Sequence, residues 1–190
     1  MKAYVFPGQG AQFEGMGKDL YEGSAQAHHL FEQANSILGY RLSDVMFEGS
    51  AEELKQTKIT QPAIFLHSVV LASIAENFSP DMVAGHSLGE YVALYFANCI
   101  SFQDLILCLK ARSQYMSEIK LKNSGMLAVL NSDRDMIDII IKEVQLKLDG
   151  VLEIANDNSK NQLIISGHMN LIDQFKIIAQ EKYNIKKLKK

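Results

Sequence analysis

The sequence predicts an α/β fold built in two parts, a parallel-sheet core followed by a smaller mixed unit. Three observations carry that prediction. Short apolar runs at 2–6 and 82–84 alternate with helical patterns, the strand-helix-strand-helix order of a parallel sheet. A serine stands between two glycines where the second run ends, in Val83-Ala-Gly-His-Ser-Leu-Gly-Glu-Tyr91. Beyond Lys122-Asn-Ser-Gly125 the rhythm changes to brief strand-like runs with two helices among them.

Lys2 to Phe6 is a β-rich apolar run stopped by Pro7-Gly-Gln-Gly10, which reads as a buried strand entering a tight loop. Ser24 to Leu38 sets Ala27, Leu30, Phe31, Ala34 and Leu38 on one helical face, and Gly39 ends it. Thr60 is the expected cap of a longer helix, with Pro62 tolerated in its first turn, Leu66, Val69, Val70 and Ile74 as its stripe, and an end near Phe78-Ser-Pro80. Met82 to Ala84 then forms a second strand and Leu88 to Ala97 a helix, so that Ser87 falls on the strand-to-helix turn; Phe102 to Ser117 is helical again. In the second part, strands are expected at Met126 to Leu130, Val151 to Ala155, Gln162 to Ile165 and from Ile185, with helices at Asp133 to Leu148 and Leu171 to Lys182. That order, β-α-β-β-α-β, is the split arrangement of a ferredoxin-like unit. The expected parts are residues 1–122 and 123–190, packed directly on one another without a low-complexity linker.

With 47% hydrophobic and 22% charged residues in 190, the chain can bury a sizeable core. Its net charge is only -3 and no basic stripe interleaves with aromatics, so no nucleic-acid partner is expected. No apolar run reaches the roughly 20 residues that span a bilayer. The first residues lack the pattern of a secretory signal, so the expected location is cytoplasmic, with no membrane partner. Cys99 and Cys108 show neither a CxxC nor ligand spacing; buried free thiols are expected, with no disulfide, zinc or other metal.

Gly-x-Ser-x-Gly between a strand and a helix is the nucleophile-elbow pattern. Such a turn leaves no room for a β-carbon at Gly85 or Gly89, and the following helix aims its N-terminal N–H groups at the serine oxygen. Ser87 is therefore a candidate nucleophile and the Leu88 N–H a candidate oxyanion donor; the alternative is a glycine-rich turn with a solvated serine. On the helix at 102–117, Leu105, Leu109, Arg112 and Met116 recur at helical spacing, which sets a guanidinium on the apolar stripe. A cation there needs a partner, either an internal salt bridge or snorkelling, or a ligand carboxylate gripped by its planar fork. Phe6-Pro-Gly-Gln-Gly-Ala-Gln12 lacks the spaced Gly-Lys-Ser/Thr of a phosphate loop. Its small residues suit a backbone that approaches a ligand, as an oxyanion loop does, or a plain turn.

Taken together, FPGQGAQ at 6–12, GHSLGEY at 85–91 and ARSQYM at 111–116 resemble the malonyl-CoA:acyl carrier protein transacylase family, whose motifs the acyltransferase domains of polyketide synthases share. The likeness runs on through TQPAIFLHSVVL at 60–71 and NDNSKNQLIISG at 156–167, over essentially the whole chain. The resemblance implies an α/β-hydrolase-like parallel-sheet core, incomplete here, with an inserted ferredoxin-like subdomain. It implies a ping-pong reaction of fatty-acid synthesis in which malonyl passes from malonyl-CoA to Ser87 and then to the phosphopantetheine thiol of acyl carrier protein. No cofactor or metal is implied, malonyl-CoA being a substrate, and the complete form would be a monomer. The backbone N–H groups of Gln9 and Leu88 are implied as the oxyanion hole and Arg112 as the anchor of the free malonyl carboxylate, with His86 and Asn158 at the substrate cleft. A leucine after the serine resembles the malonyl rather than the methylmalonyl pattern.

In that family the base is a histidine beyond the inserted subdomain, whereas this chain stops at Lys190, so it is expected to be C-terminally incomplete. His28 and His29 fall on the polar side of a helix, His67 reads as a core histidine, His168 follows a strand, and His86 should project away from its neighbour Ser87. None is expected to act as the base. General-base help is worth about a hundred- to ten-thousand-fold, so a chain that ends here is expected to show little transacylase activity. The alternative expectation is a non-catalytic remnant that binds acyl carrier protein, CoA or a partner subunit. A serine hydrolase is a more distant reading, since a plain esterase has no use for Arg112.

Overall fold

Ala3–Phe6 (β1) and Met82–Gly85 (β2) pair in parallel, with Ala3 opposite Met82 and Phe6 opposite Gly85, in the computed structural model, which describes residues 1–119 and 123–189. Parallel strands in register finish at the same end. The chain leaving β1 through Pro7 and the chain leaving β2 at Gly85 therefore enter their turns side by side. The two turns meet there.

Seven helices accompany these strands among the described residues: Lys18–Gly23 (α1), Ala25–Leu38 (α2), Leu42–Glu48 (α3), Ala51–Leu54 (α4), Thr57–Ile74 (α5), Gly89–Phe96 (α6) and Phe102–Glu118 (α7). Capping sets several of their starts. Ser24 accepts from the Ala27 N–H at the head of α2, Ser101 from Asp104 at the head of α7, and Ser50 forms a capping box with Glu53 at α4. Gly39, in the left-handed region with φ 77°, closes α2. The face of α2 that buries Ala27, Leu30, Phe31, Ala34 and Leu38 is the one its periodicity marks.

Helix α5 differs from its expected form. It begins at Thr57, and Thr60 lies inside it, fully buried, with its hydroxyl donating to the carbonyls of Leu54 and Gln56. Instead of one apolar stripe it buries Gln61, Ala63, Ile64, Phe65, Leu66, Val69 and Val70, which cover almost its whole circumference. A helix apolar all round is a core helix, and α5 is the pillar on which α2, α6 and α7 pack. Truncating the fully buried Phe65 to alanine would cost about 3–5 kcal/mol. The helix stops at Ile74, short of Phe78.

The cysteines also depart from expectation: both are exposed. Cys99 follows the end of α6, and Cys108 lies on the face of α7 away from the buried Leu105, Ile106 and Leu109.

The second unit has the order β3 (Ser124–Leu130), α8 (Arg134–Gln145), β4 (Leu152–Ser159), β5 (Gln162–His168), α9 (Met169–Glu181) and β6 (Leu188–Lys189). Its strands form an antiparallel sheet in the order β4-β5-β3-β6. Leu127, Val129, Leu163 and Ile165 on one face share a core with Ile137, Ile140, Leu171 and Phe175 of the two helices. Strand β4 runs on to Ser159, past its expected end at Ala155, through two register shifts against β5. The units span Met1–Ile119 and Lys120–Lys190; the boundary expected between 122 and 123 touches residues 120–122, which lie outside the described residues.

Candidate active site

Ser87 occupies the turn between β2 and α6 with φ 55°. The other described non-glycine residues with positive φ, at 98, 123, 131 and 184, are all asparagine, the residue that tolerates this region best after glycine. Holding a serine there costs about 1–3 kcal/mol and is sustained only where the surroundings enforce it. Here they do. A β-carbon on Gly85 would collide with the backbone of Gly89 and Glu90, and one on Gly89 with the Phe6 carbonyl oxygen. The turn is further tied to the first strand by the His86 N–H, which donates to the Phe6 carbonyl at 3.0 Å.

The Gly89, Glu90 and Tyr91 N–H groups turn back onto the carbonyls of His86, Ser87 and Leu88. Leu88, itself buried, caps α6, and its N–H is the amide that directly follows the serine. The positive end of the helix dipole therefore lies at Ser87 Oγ, which is exposed.

Arg112 reaches that oxygen from α7. Its Nη2 donates to Ser87 Oγ at 2.9 Å, and its guanidinium carbon stands 5.8 Å from the centre of the Tyr91 ring. On its other side Nη1 donates to Oε1 of Gln61, a fully buried residue of α5 whose Nε2 lies 3.3 Å from Met116 Sδ. Among the described residues Arg112 is therefore held by three neutral groups, from α5, the elbow turn and α6. Among the described residues no carboxylate forms an ion pair with it. Of the two structural alternatives that its place on the apolar stripe raised, the internal salt bridge is absent among the described residues. Gln61 is the site residue that sequence reasoning missed; its position beside Pro62 in a buried stretch was the available signal.

Gln9 is exposed in the turn that follows Pro7. The loop it belongs to lies against the elbow: a β-carbon on Gly8 would sit 2.7 Å from His86 Nδ1 and 2.9 Å from the His86 carbonyl oxygen, so the imidazole packs directly on Gly8. Asn158 belongs to the second unit, where its Nδ2 donates to Gln162 Oε1 at 3.1 Å beside a register shift of β4.

His67 is half-buried, edge-on to Phe13 with ring centres 5.6 Å apart, and burial holds its pKa below the ordinary histidine value against the opposing pull of Asp19. It lines a cavity of about 390 Å³ with Phe6, Pro7, Phe13, Leu71 and Phe78; Ser87 and Arg112 are not among the lining residues of this cavity. His28 and His29 are exposed on α2, His28 against Tyr21, and His168 Nδ1 accepts from the Val151 N–H. Among the described residues no group of three or more histidines, cysteines or carboxylates could hold a metal ion, and no helix is long and apolar enough to cross a membrane.

A mixed α/β chain that presents a strained serine at a strand-to-helix elbow, with a cation on the serine oxygen, has the layout of a serine acyl-transfer protein. The chain belongs to the acyl transferase family: residues 3–187 match its acyl transferase domain. It is 39% identical over 173 residues to the malonyl CoA-acyl carrier protein transacylase of Staphylococcus aureus strain MRSA252, which covers 90% of this chain and 56% of that protein. The crystal structure of MCAT from Streptococcus pneumoniae superposes with a TM-score of 0.89 at 35% identity, covering 98% of this chain and 61% of that one. A malonyl-transacylase solved in complex with a type II PKS acyl-carrier protein superposes with a TM-score of 0.85 at 33% identity, covering 98% and 60% respectively. The chain thus spans a little over half the length of these relatives.

Proposed function

We propose that this chain carries the nucleophile and substrate anchor of a malonyl-CoA:acyl carrier protein transacylase of fatty-acid synthesis. The observation that carries the proposal is Arg112 Nη2 on Ser87 Oγ at 2.9 Å, a permanent positive charge within reach of the oxygen that would receive the acyl group. In the first half-reaction Ser87 Oγ attacks the thioester carbonyl carbon of malonyl-CoA and loses its proton. The carbon–sulfur bond then breaks, and the CoA sulfur leaves with a proton. In the second, the phosphopantetheine thiol of acyl carrier protein gives up its proton as its sulfur attacks the ester carbonyl carbon, the carbon–Oγ bond breaks, and Oγ leaves with a proton.

The oxyanion that forms in each half is held by the Leu88 N–H at the head of α6 and by the Gln9 N–H from the neighbouring loop. Arg112 leaves Ser87 Oγ to grip the distal malonyl carboxylate through its fork. A guanidinium has no acceptor site, so the proton from Ser87 goes to a different group. His86, packed on Gly8, supports the loop that bears Gln9.

In this reading residues 1–122 are the first part of an α/β-hydrolase-like core and 123–190 a ferredoxin-like subdomain, for which the β4-β5-β3-β6 order is the support. Malonyl-CoA is substrate rather than cofactor, the partner is acyl carrier protein in the cytoplasm, and the working form is a monomer.

The test mixes the chain with malonyl-CoA and holo acyl carrier protein and follows malonyl on both proteins by mass spectrometry. Malonyl on Ser87 that moves to the carrier thiol supports the proposal. A folded chain that binds carrier protein or CoA yet never carries malonyl would instead favour the binding-only reading.

A further inference from the structure

We propose that Gln61 is the positioning residue that makes the Ser87 site select acyl groups bearing a free carboxylate; the inference rests on the malonyl reading above. A guanidinium at the end of a long stem needs fixed partners to present its fork in one orientation. Gln61 supplies one from the core. Its side chain is fully buried, its Nε2 lies on Met116 Sδ at 3.3 Å, and its Oε1 receives Arg112 Nη1.

The chemical identity of this partner matters as much as its position. An amide oxygen accepts the hydrogen bond while leaving the charge of Arg112 uncancelled, and the other two neighbours, the Ser87 hydroxyl and the Tyr91 ring, are neutral as well. A carboxylate at position 61 would have the same shape but would serve as an internal counter-ion, competing with the ligand's carboxylate for the same fork. A half-buried cation kept among neutral groups is a site prepared for an anion that arrives from outside.

Equilibrium binding in a Ser87→Ala background tests this without any need for chemistry. With Gln61 in place, malonyl-CoA is expected to bind about tenfold or more tighter than acetyl-CoA, the usual scale for one charge-assisted pair. Adding Gln61→Glu should bring the two affinities within about twofold of each other. A general loss of structure would weaken both ligands alike, so the ratio separates positioning from stability. If Gln61→Glu does not fold, Gln61→Met, which keeps the length and the contact with Met116 but removes the acceptor, carries the same expectation. A preference that survives unchanged in the folded Gln61 variant overturns the inference alone. Equal affinities, or no binding, with Gln61 intact overturn the malonyl reading and this inference with it.

Discussion

Gly89→Ala is the sharpest perturbation of the elbow. The added methyl would meet the Phe6 carbonyl oxygen, with the Phe6 carbonyl carbon and the Pro7 carbonyl oxygen each at 2.8 Å. All three are backbone atoms, so no side chain can swing aside. Either the end of β1 and its loop retreat or the turn around Ser87 opens. Overpacking of this kind costs about 1–3 kcal/mol. At about 4 °C per kcal/mol for a unit of this size, Tm should fall by about 4–12 °C. In the proposed reading a retreating loop would also carry the Gln9 N–H away from the oxyanion, and losing one such donor slows acyl transfer by about 10²–10³-fold. Gly23→Ala is the control, because nothing lies within 4 Å of the added carbon. Calorimetry gives the Tm, and intact mass spectrometry over time gives the rate of Ser87 acylation by malonyl-CoA. A Gly89→Ala protein that matches Gly23→Ala in both would refute the claim that loop and elbow form one close-packed unit.

Three further outcomes are expected. Arg112→Ala should weaken loading from malonyl-CoA by about tenfold or more and shift preference toward uncharged groups such as acetyl, as competition between the two thioesters would measure; undiminished malonyl selectivity would exclude the anchor role. Because burial lowers the folded-state pKa of His67, the unfolded chain takes up its proton first, so this histidine leaves stability intact above the ordinary value of about 6.5 and subtracts from it as pH falls below that. Replacing it by His67→Leu should flatten the decline in Tm between neutral pH and pH about 5.5; an unchanged slope would contradict the assignment. Both cysteines, being exposed, should react with a thiol reagent in the native protein as readily as after denaturation, and protection of either would contradict its placement.

The parts of this molecule that were legible in the sequence are those encoded locally. The elbow is one: Gly85, Ser87 and Gly89 are close neighbours whose conformations depend on one another, so the motif carries its own geometry. Helices α2 and α7 are others, each with a serine cap and one apolar face. Helices α1, α3 and α4 are too short for periodicity to register, although Ser50 and Glu53 spelled a capping box. Thr60 looked like a cap because it precedes Pro62, but its hydroxyl works inside a helix that had begun a turn earlier. Cys108 is exposed because it lies off the α7 stripe of Leu105 and Leu109, and its place on the helix outweighs the apolar character of a thiol. The last residues of β4 were hidden by polar side chains and by two register shifts that break the alternation. Gln61 sits in the apolar stretch around Pro62, which marks it as a buried amide but not as a partner of Arg112. Its partner lies 51 residues away on another helix, and no local pattern says which buried amide will meet which cation.

In the reading proposed above, Ser87 accepts malonyl while Arg112 holds its carboxylate. The most direct test of that reading is peptide-resolved mass spectrometry of the chain, its Ser87→Ala variant and its Arg112→Ala variant after exposure to malonyl-CoA. A malonyl ester is expected on the 85–91 segment of the unaltered chain, none with Ser87→Ala, and a strongly reduced yield with Arg112→Ala. Malonyl attached elsewhere, or equally abundant in all three, would contradict the reading.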